Sequence, residues 1–263
     1  MINIKNVSAG YFKNEQILKN IFLNIERKDF LGIIGKNGAG KSTLLKVLCN
    51  LIKPSCGTVC INNNNVIFFS QKKIAKIISF LPQDVDVMLP FNALEFIMFG
   101  RYPYMNIFKM PSRNDYIVVK KVMDFLDITS FAKKKIDSLS GGEKQKVLIA
   151  QALAQETEII VFDELTLHLD IGSQNNVLRI LKKLNERYNK TIILTLHDLN
   201  AASEFCNKLA LMDNGKIYSY GTPDKVLNYR DIGQIYNTIV AVKTNPISNK
   251  PYIIPISDEC IKV

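Results

Sequence analysis

The apolar positions of this chain change period along its length, and those changes mark out its elements. Residues 2–7 alternate polar and apolar, as a half-buried strand does, and residues 17–25 read as a second strand after a loop holding Gly10, Tyr11 and Phe12. Residues 30–34 are a short apolar run, which predicts a buried strand. A glycine-rich loop follows. From Lys41 to Leu51 the period becomes helical, with Leu44, Leu45 and Leu48 on one face, and Pro54 with Gly57 is expected to end it.

Between residues 91 and 155 no strand pattern stands out and the spacing predicts helices. Asn92 with Glu95 three residues on resembles a capping box, and residues 115–126 are helically periodic. Alternation of strand and helix resumes with residues 159–162, a helix carrying Val177, Ile180, Leu181 and Leu184, and residues 191–196. Asp213-Asn214-Gly215-Lys216 between apolar runs predicts a hairpin, because Asn-Gly accepts the positive φ angles of a tight turn. Thr222 and Pro223 predict the start of a short helix. The run from Asn62 to Asn65 reads as a surface turn. The expected organisation is a core of residues 1–83 and 156–263, with a helical subdomain over residues 84–155.

Composition adds exclusions more than choices. With 47% hydrophobic and 22% charged residues over 263 positions, the chain has ordinary globular content and is expected to fold. Its longest apolar runs fall far short of the roughly 20 residues that span a bilayer, so no membrane crossing is expected. Residues 1–7 carry no basic segment followed by an apolar stretch, so export is not expected either. The net charge of +10 suits nucleotide phosphates, nucleic acid, an anionic membrane surface or a plainly solvated basic surface, and does not choose among them. Cys49, Cys56, Cys60, Cys206 and Cys260 include no Cys-x-x-Cys pair, so reduced, buried thiols are expected rather than disulfides or zinc.

The chemistry lies in three places. Gly35-Lys36-Asn37-Gly38-Ala39-Gly40-Lys41-Ser42 fits G-x-x-x-x-G-K-[ST] and sits between a predicted strand and a predicted helix, as a phosphate-binding loop must. Without side chains at Gly38 and Gly40 the backbone amides can wrap a phosphate chain at a helix N-terminus. Lys41 is expected to reach the β- and γ-phosphates of ATP, and Ser42 to ligate Mg²⁺. Asp163 and Glu164 follow four apolar residues, which places both carboxylates at the C-terminal edge of a buried strand. Asp163 is then a candidate Mg²⁺ ligand and Glu164 the base or orienter for the attacking water. Third, Leu139-Ser140-Gly141-Gly142-Glu143 offers a serine and two glycines opening a helix, a second phosphate cradle.

Together these motifs resemble those of ABC ATPase subunits, whose signature is LSGG[QE]. The resemblance covers nearly the whole chain. It implies an α/β P-loop NTPase core with an N-terminal antiparallel β subdomain and an inserted helical subdomain. It also implies a homodimer in which Ser140, Gly141 and Gly142 of one copy face the phosphate loop of the other. The nucleotide contacts it implies are Gly35, Asn37, Gly38, Gly40, Lys41, Ser42 and Thr43, with Tyr11 stacking on adenine and Phe12 as a rival. Gln83 matches the glutamine that touches Mg²⁺ and water, His197 the histidine that contacts the γ-phosphate, and Asp170 the D-loop aspartate. Leu165 and Leu167 depart from the family's Pro-Thr-Ser-x-Leu-Asp pattern, and Gln151 stands where arginine is usual.

Gly100-Arg101-Tyr102-Pro103-Tyr104 resembles the GRxP[HY] element of importers for siderophores, haem, cobalamin and related chelates. That likeness implies a polytopic permease as partner, gripped through Arg101, Tyr102 and Tyr104. It also implies a substrate-binding protein acting indirectly, no nucleic acid, and a peripheral location on the cytoplasmic face of the membrane. The alternative readings are an exporter ATPase and an ABC ATPase outside transport; the latter usually carries two cassettes or a long coiled coil, whereas this chain has a single set of motifs without sustained heptads between Thr43 and Leu139.

Overall fold

The computed structural model describes residues 1–12, 15–83, 90–105, 110–167 and 169–257. Cys260, His168 and the start of the expected helical subdomain lie outside the described residues. The chain divides into two compact units, Met1–Phe68 with Thr191–Val263, and Phe69–Lys190.

The first unit holds an antiparallel sheet in which Ile2–Ala9 lies between Leu18–Ile25 and Cys56–Ile61. It also holds a parallel arrangement with Phe30–Ile34 at its centre. That strand pairs with Thr191–Thr195 on one side, in register Gly32 to Leu194, and with Lys208–Asp213 on the other, Gly32 to Leu209. All five residues of Phe30–Ile34 are buried, as a strand with neighbours on both edges and cover on both faces requires. Gly32 is needed for space, because a Cβ there would meet Leu209 Cδ2 at 2.8 Å and Cys206 Sγ at 2.9 Å. Lys216–Gly221 returns antiparallel to Lys208–Asp213 through Asn214 and Gly215, whose φ angles of 46° and 78° are those of the expected tight hairpin.

The helix after the phosphate loop is shorter than its apolar spacing predicts. It spans Lys41–Leu48 and is closed by Asn50 in the left-handed region at φ 54°. Leu51 N donates to Lys46 O at 2.9 Å and Asn50 N to Val47 O at 3.1 Å, the paired bonds of a Schellman end. Asn50, not Pro54 or Gly57, therefore stops it. Strand Cys56–Ile61 was not legible in the sequence, and Cys56 on it is exposed, which corrects the expectation that the thiols are buried.

The second unit pairs Ile78–Leu81 with Ile159–Phe162 in parallel. Its helices include Ala93–Met98, Arg113–Phe125, Gly141–Ala154 and Ile171–Tyr188. The Asn92 and Glu95 capping box forms as read, with Asn92 Oδ1 accepting from Glu95 N and Glu95 Oε2 from Asn92 N, each at 2.9 Å. Val177, Leu178, Leu181 and Leu184 are the buried stripe of the last helix. Among the described residues no helix is long and apolar enough to cross a membrane.

Candidate functional site

The phosphate loop closes on itself. Lys41 is only 5% exposed and its Nζ donates to Gly35 O at 2.8 Å and Lys36 O at 3.0 Å. The ammonium is thereby held over the loop by two carbonyls, acceptors that a phosphate oxygen can replace. Gly40 stands at φ 97° as the N-cap of Lys41–Leu48 and supplies no side-chain cap. The first amides of that helix thus keep their donors and the positive end of its dipole for an anion. Gly35 has a separate constraint, since a Cβ there would lie 2.3 Å from Met212 O. Thr43 is buried and Ser42 partly so. Tyr11 is half exposed, and its ring and hydroxyl lie against Lys46 Nζ, 5.2 Å from the centroid and 3.2 Å from the oxygen. Phe12, the rival, is 78% exposed. His197 and Asp198 are exposed beyond Thr191–Thr195, and Asp198 Oδ1 caps Leu199–Phe205 by accepting from Asn200 N and Ala201 N.

Tyr236, which the sequence reading passed over, ends helix Tyr229–Tyr236 with its hydroxyl sealed from solvent beside the backbone of Gly35. Burial pushes this phenol up to about 12, and the Gly35 backbone opposes that only in part.

In the second unit, Leu81, Pro82, Gln83, Gln145, Leu148, Asp163, Glu164, Leu165 and Leu167 line a cleft of about 110 Å³. Three of the residues predicted from sequence, Gln83, Asp163 and Glu164, thus meet in one place. Asp163 is 4% exposed, and its backbone N donates to Leu81 O at 2.9 Å, which sets it at the strand edge. Glu164 is at φ 50°. Most non-glycine residues with positive φ here are asparagines, which tolerate that region. Glu164 shares that region with a second glutamate, Glu156 at φ 53°, and what sets it apart is its place at the end of the buried strand beside Asp163. Gln145, absent from the sequence candidates, lines the same cleft and donates its side-chain amide to Leu165 O. Only its place one helical turn inside the signature helix hints at this.

Ser140 is the N-cap of the signature helix Gly141–Ala154. Its N and Oγ bond Glu143 Oε2 at 2.8 and 2.9 Å, and these bonds hold the Glu143 carboxyl below its usual range. A Cβ on Gly141 would meet nothing within 4 Å, and its φ is not positive. The fold of this chain therefore makes no demand for glycine at that position. Asp170 caps Ile171–Tyr188, with Oδ1 accepting from Ser173 N at 3.0 Å and Oδ2 from Ser173 Oγ at 2.6 Å. Those bonds hold its carboxyl low.

The expectation that Arg101 grips a permease is overturned. Arg101 is 3% exposed, with Nε at 2.9 Å from Asp115 Oδ1 and Nη1 at 2.7 Å from both Glu156 Oε2 and Ala154 O. Tyr102, at 71% exposure, remains available, and Tyr104 is partly so.

The donors expected for Mg²⁺, the Ser42 hydroxyl, the Gln83 amide and the Asp163 carboxylate, are oxygen groups suited to a hard cation that shares its shell with water and phosphate. Among the described residues no group of three or more His, Cys, Asp or Glu forms a self-sufficient metal site.

Comparison with known proteins places these observations. The ABC transporter family pattern matches residues 18–167. The petrobactin import ATP-binding protein FpuD of Bacillus anthracis is 34% identical, covering 91% of this chain and 88% of its own. The ferric enterobactin transport ATP-binding protein FepC of Escherichia coli is 33% identical, covering 96% and 93%. A structure described as a metal-chelate type ABC transporter in an inward-facing conformation superimposes with TM-score 0.85 at 27% identity, over 99% of this chain and 98% of its own. The dimeric post-hydrolysis cassette MJ0796 bound to ADP and Pi superimposes with TM-score 0.74 at 30% identity, over 84% and 98%. This chain belongs to the ABC transporter family, as its ATP-binding domain.

Proposed function

We propose that this chain is the ATP-hydrolysing subunit of an importer for a metal chelate, such as a siderophore, haem or cobalamin, working as a dimer beneath a polytopic permease. The observation that carries the ATPase part is the pairing of buried Asp163 with Glu164 at φ 50° in a cleft shared with Gln83. Lys41 exchanges its loop carbonyls for the β- and γ-phosphates, and Gly35, Asn37, Gly38, Gly40, Ser42 and Thr43 wrap the phosphate chain through backbone and hydroxyl donors. Mg²⁺, when bound, neutralises charge developing on the phosphates, and Ser42, Gln83 and Asp163 are the residues to hold it. Glu164 orients the attacking water and accepts its proton, while His197 donates to the γ-phosphate. Tyr11 stacks on the adenine.

The side-chain-free surface at Gly141 supports a second role for the signature. Ser140, Gly141 and Gly142 take the nucleotide of the other copy, with Asp170 near the shared boundary. The metal-chelate assignment is supported by the named relatives, FpuD for petrobactin and FepC for ferric enterobactin, and by the metal-chelate type neighbour. A substrate-binding protein and a peripheral place on the cytoplasmic face of the membrane follow from that reading. Residues 84–155 are then the permease-facing subdomain.

Deleting the gene tests the transport claim. Uptake of labelled ferric siderophore, haem or cobalamin is expected to be lost and to return with the plasmid-borne gene. Wild-type uptake of all of them would contradict it.

A further inference from the structure

The two last carbonyls of the signature helix are capped by side chains from a segment some fifty residues earlier. Ala154 O accepts from Arg101 Nη1 at 2.7 Å, and Gln155 O accepts from the Tyr104 hydroxyl at 2.9 Å. The Arg101 guanidinium also stacks on Tyr104, 4.3 Å from the ring centroid. Gly100 completes the approach, since a Cβ there would fall 2.2 Å from Gln151 O. Glu156 and Asp115 fix the guanidinium from two further directions. On its other side the same helix end is held by the Gln155 side chain, which donates to Ala75 O and to Ile78 O, the latter opening the strand that runs toward Gln83.

Terminal carbonyls of a helix are ordinarily met by water or by a local glycine cap. Here they are met by a fork whose five donors have fixed geometry, from a segment that also presents Tyr102 at 71% exposure. Replacing a buried ion pair by well-packed apolar side chains is often neutral or stabilising, so stability alone does not call for this arrangement. What it supplies is orientation. The helix has 14 residues and so is about 21 Å long, and a tilt of about 5° about its clamped end would move Ser140 by about 2 Å. Along that lever lies Gln145, bonded to the carbonyl of Leu165, next to Glu164.

We propose that Arg101 and Tyr104 are positioning residues that clamp the C-terminal end of the signature helix, and that through this helix and Gln145 they set the orientation of Ser140 and of the Glu164 turn. The clamp itself is independent of the functional reading; its effect on hydrolysis rests on that reading. Arg101 does not touch nucleotide and acts through the helix.

Tyr104→Phe removes one hydroxyl from a partly exposed ring and Arg101→Lys keeps the charge while losing the fork, so both retain a fold that melting can verify. Two measurements separate the claims. Hydrogen exchange on the nucleotide-free chain is expected to speed up in both variants along the whole signature helix, including residues 145–148, by at least threefold. Acceleration confined to residues 151–156 would overturn the clamp. Mg-ATPase of the same variants is expected to show kcat reduced three- to tenfold with KM for ATP within twofold. Unchanged kcat alongside accelerated exchange would leave a clamp with no role in hydrolysis and overturn the coupling. If wild type itself hydrolyses no ATP, the ATPase reading fails, and the exchange result still decides the clamp.

Discussion

The side-chain amide of Gln145 donates to the backbone carbonyl of Leu165, so the signature helix is tied directly to the turn that begins at Glu164. Leu165 is 4% exposed and the next bond of that turn runs from Leu167 N to Glu164 O at 3.1 Å. The backbone of the turn that carries Glu164 is therefore tied to the signature helix by a contact that a single substitution can remove.

Gln145→Leu keeps volume and loses the donor. It should lower kcat for ATP about tenfold, in line with about 1.4 kcal/mol for one lost orienting bond, and leave KM unchanged. Steady-state kinetics on the purified chain checks it, and a rise in KM at constant kcat would place Gln145 in nucleotide binding instead.

Lys41→Ala removes the cation held by Gly35 O and Lys36 O. Loss of charge-assisted bonds worth about 1.5–3 kcal/mol should weaken ATP binding by roughly 10- to 150-fold. Calorimetric titration reads this directly. The Gly35 carbonyl is buried and Lys36 is exposed, so water can replace the ammonium at Lys36 only, and a thermal melt of the variant should accompany the titration.

Arg101→Ala leaves the buried Asp115 carboxylate without its guanidinium, bonded only to Ser112 N and Oγ. Burial pushes that carboxyl up, but the Ser112 and Arg101 hydrogen bonds outweigh it and hold it below the usual range. Removing one member of such a pair costs about 3–5 kcal/mol, so the unfolding midpoint in urea should fall by 1 M or more. Arg101→Ala with wild-type stability would show that the network is dispensable.

Tyr236 gives the pH dependence. Its phenol titrates near 12 when folded and near 10 when unfolded, so the folded state binds the proton more tightly between those values. Its contribution is fully present below pH 10 and is lost as pH rises toward 12. Tyr220, pushed up to about 12 by burial and by Asp29 and Glu26, behaves alike. Tyr236→Phe should flatten the alkaline fall in urea midpoint between pH 10 and 12, and Tyr220→Phe should remove more of it. An unchanged slope in the double variant would contradict both assignments.

The strands that carry chemistry were legible because burial on both faces leaves only apolar residues, as in Phe30–Ile34 and Ile159–Phe162. Capping residues were legible where the bond is local, as for Asn92 with Glu95. Cys56–Ile61 escaped notice because Gly57 and Thr58 break its apolar pattern, and the end of Lys41–Leu48 was misplaced because asparagine at φ 54° resembles any polar residue in a sequence. Arg101 was misread for another reason. An arginine within an exposed-looking motif gives no local sign of partners at positions 115, 154 and 156, which only the packing of separate helices brings together.

The most direct test of the account is single-turnover hydrolysis with Glu164→Gln. The amide keeps the size of the side chain and cannot accept the proton of water. With Mg-ATP the variant should bind nucleotide as tightly as wild type, cleave it at least a hundredfold more slowly, and sediment as a dimer held by uncleaved ATP. Cleavage at the wild-type rate would remove Glu164 from its role and contradict the mechanism at its centre.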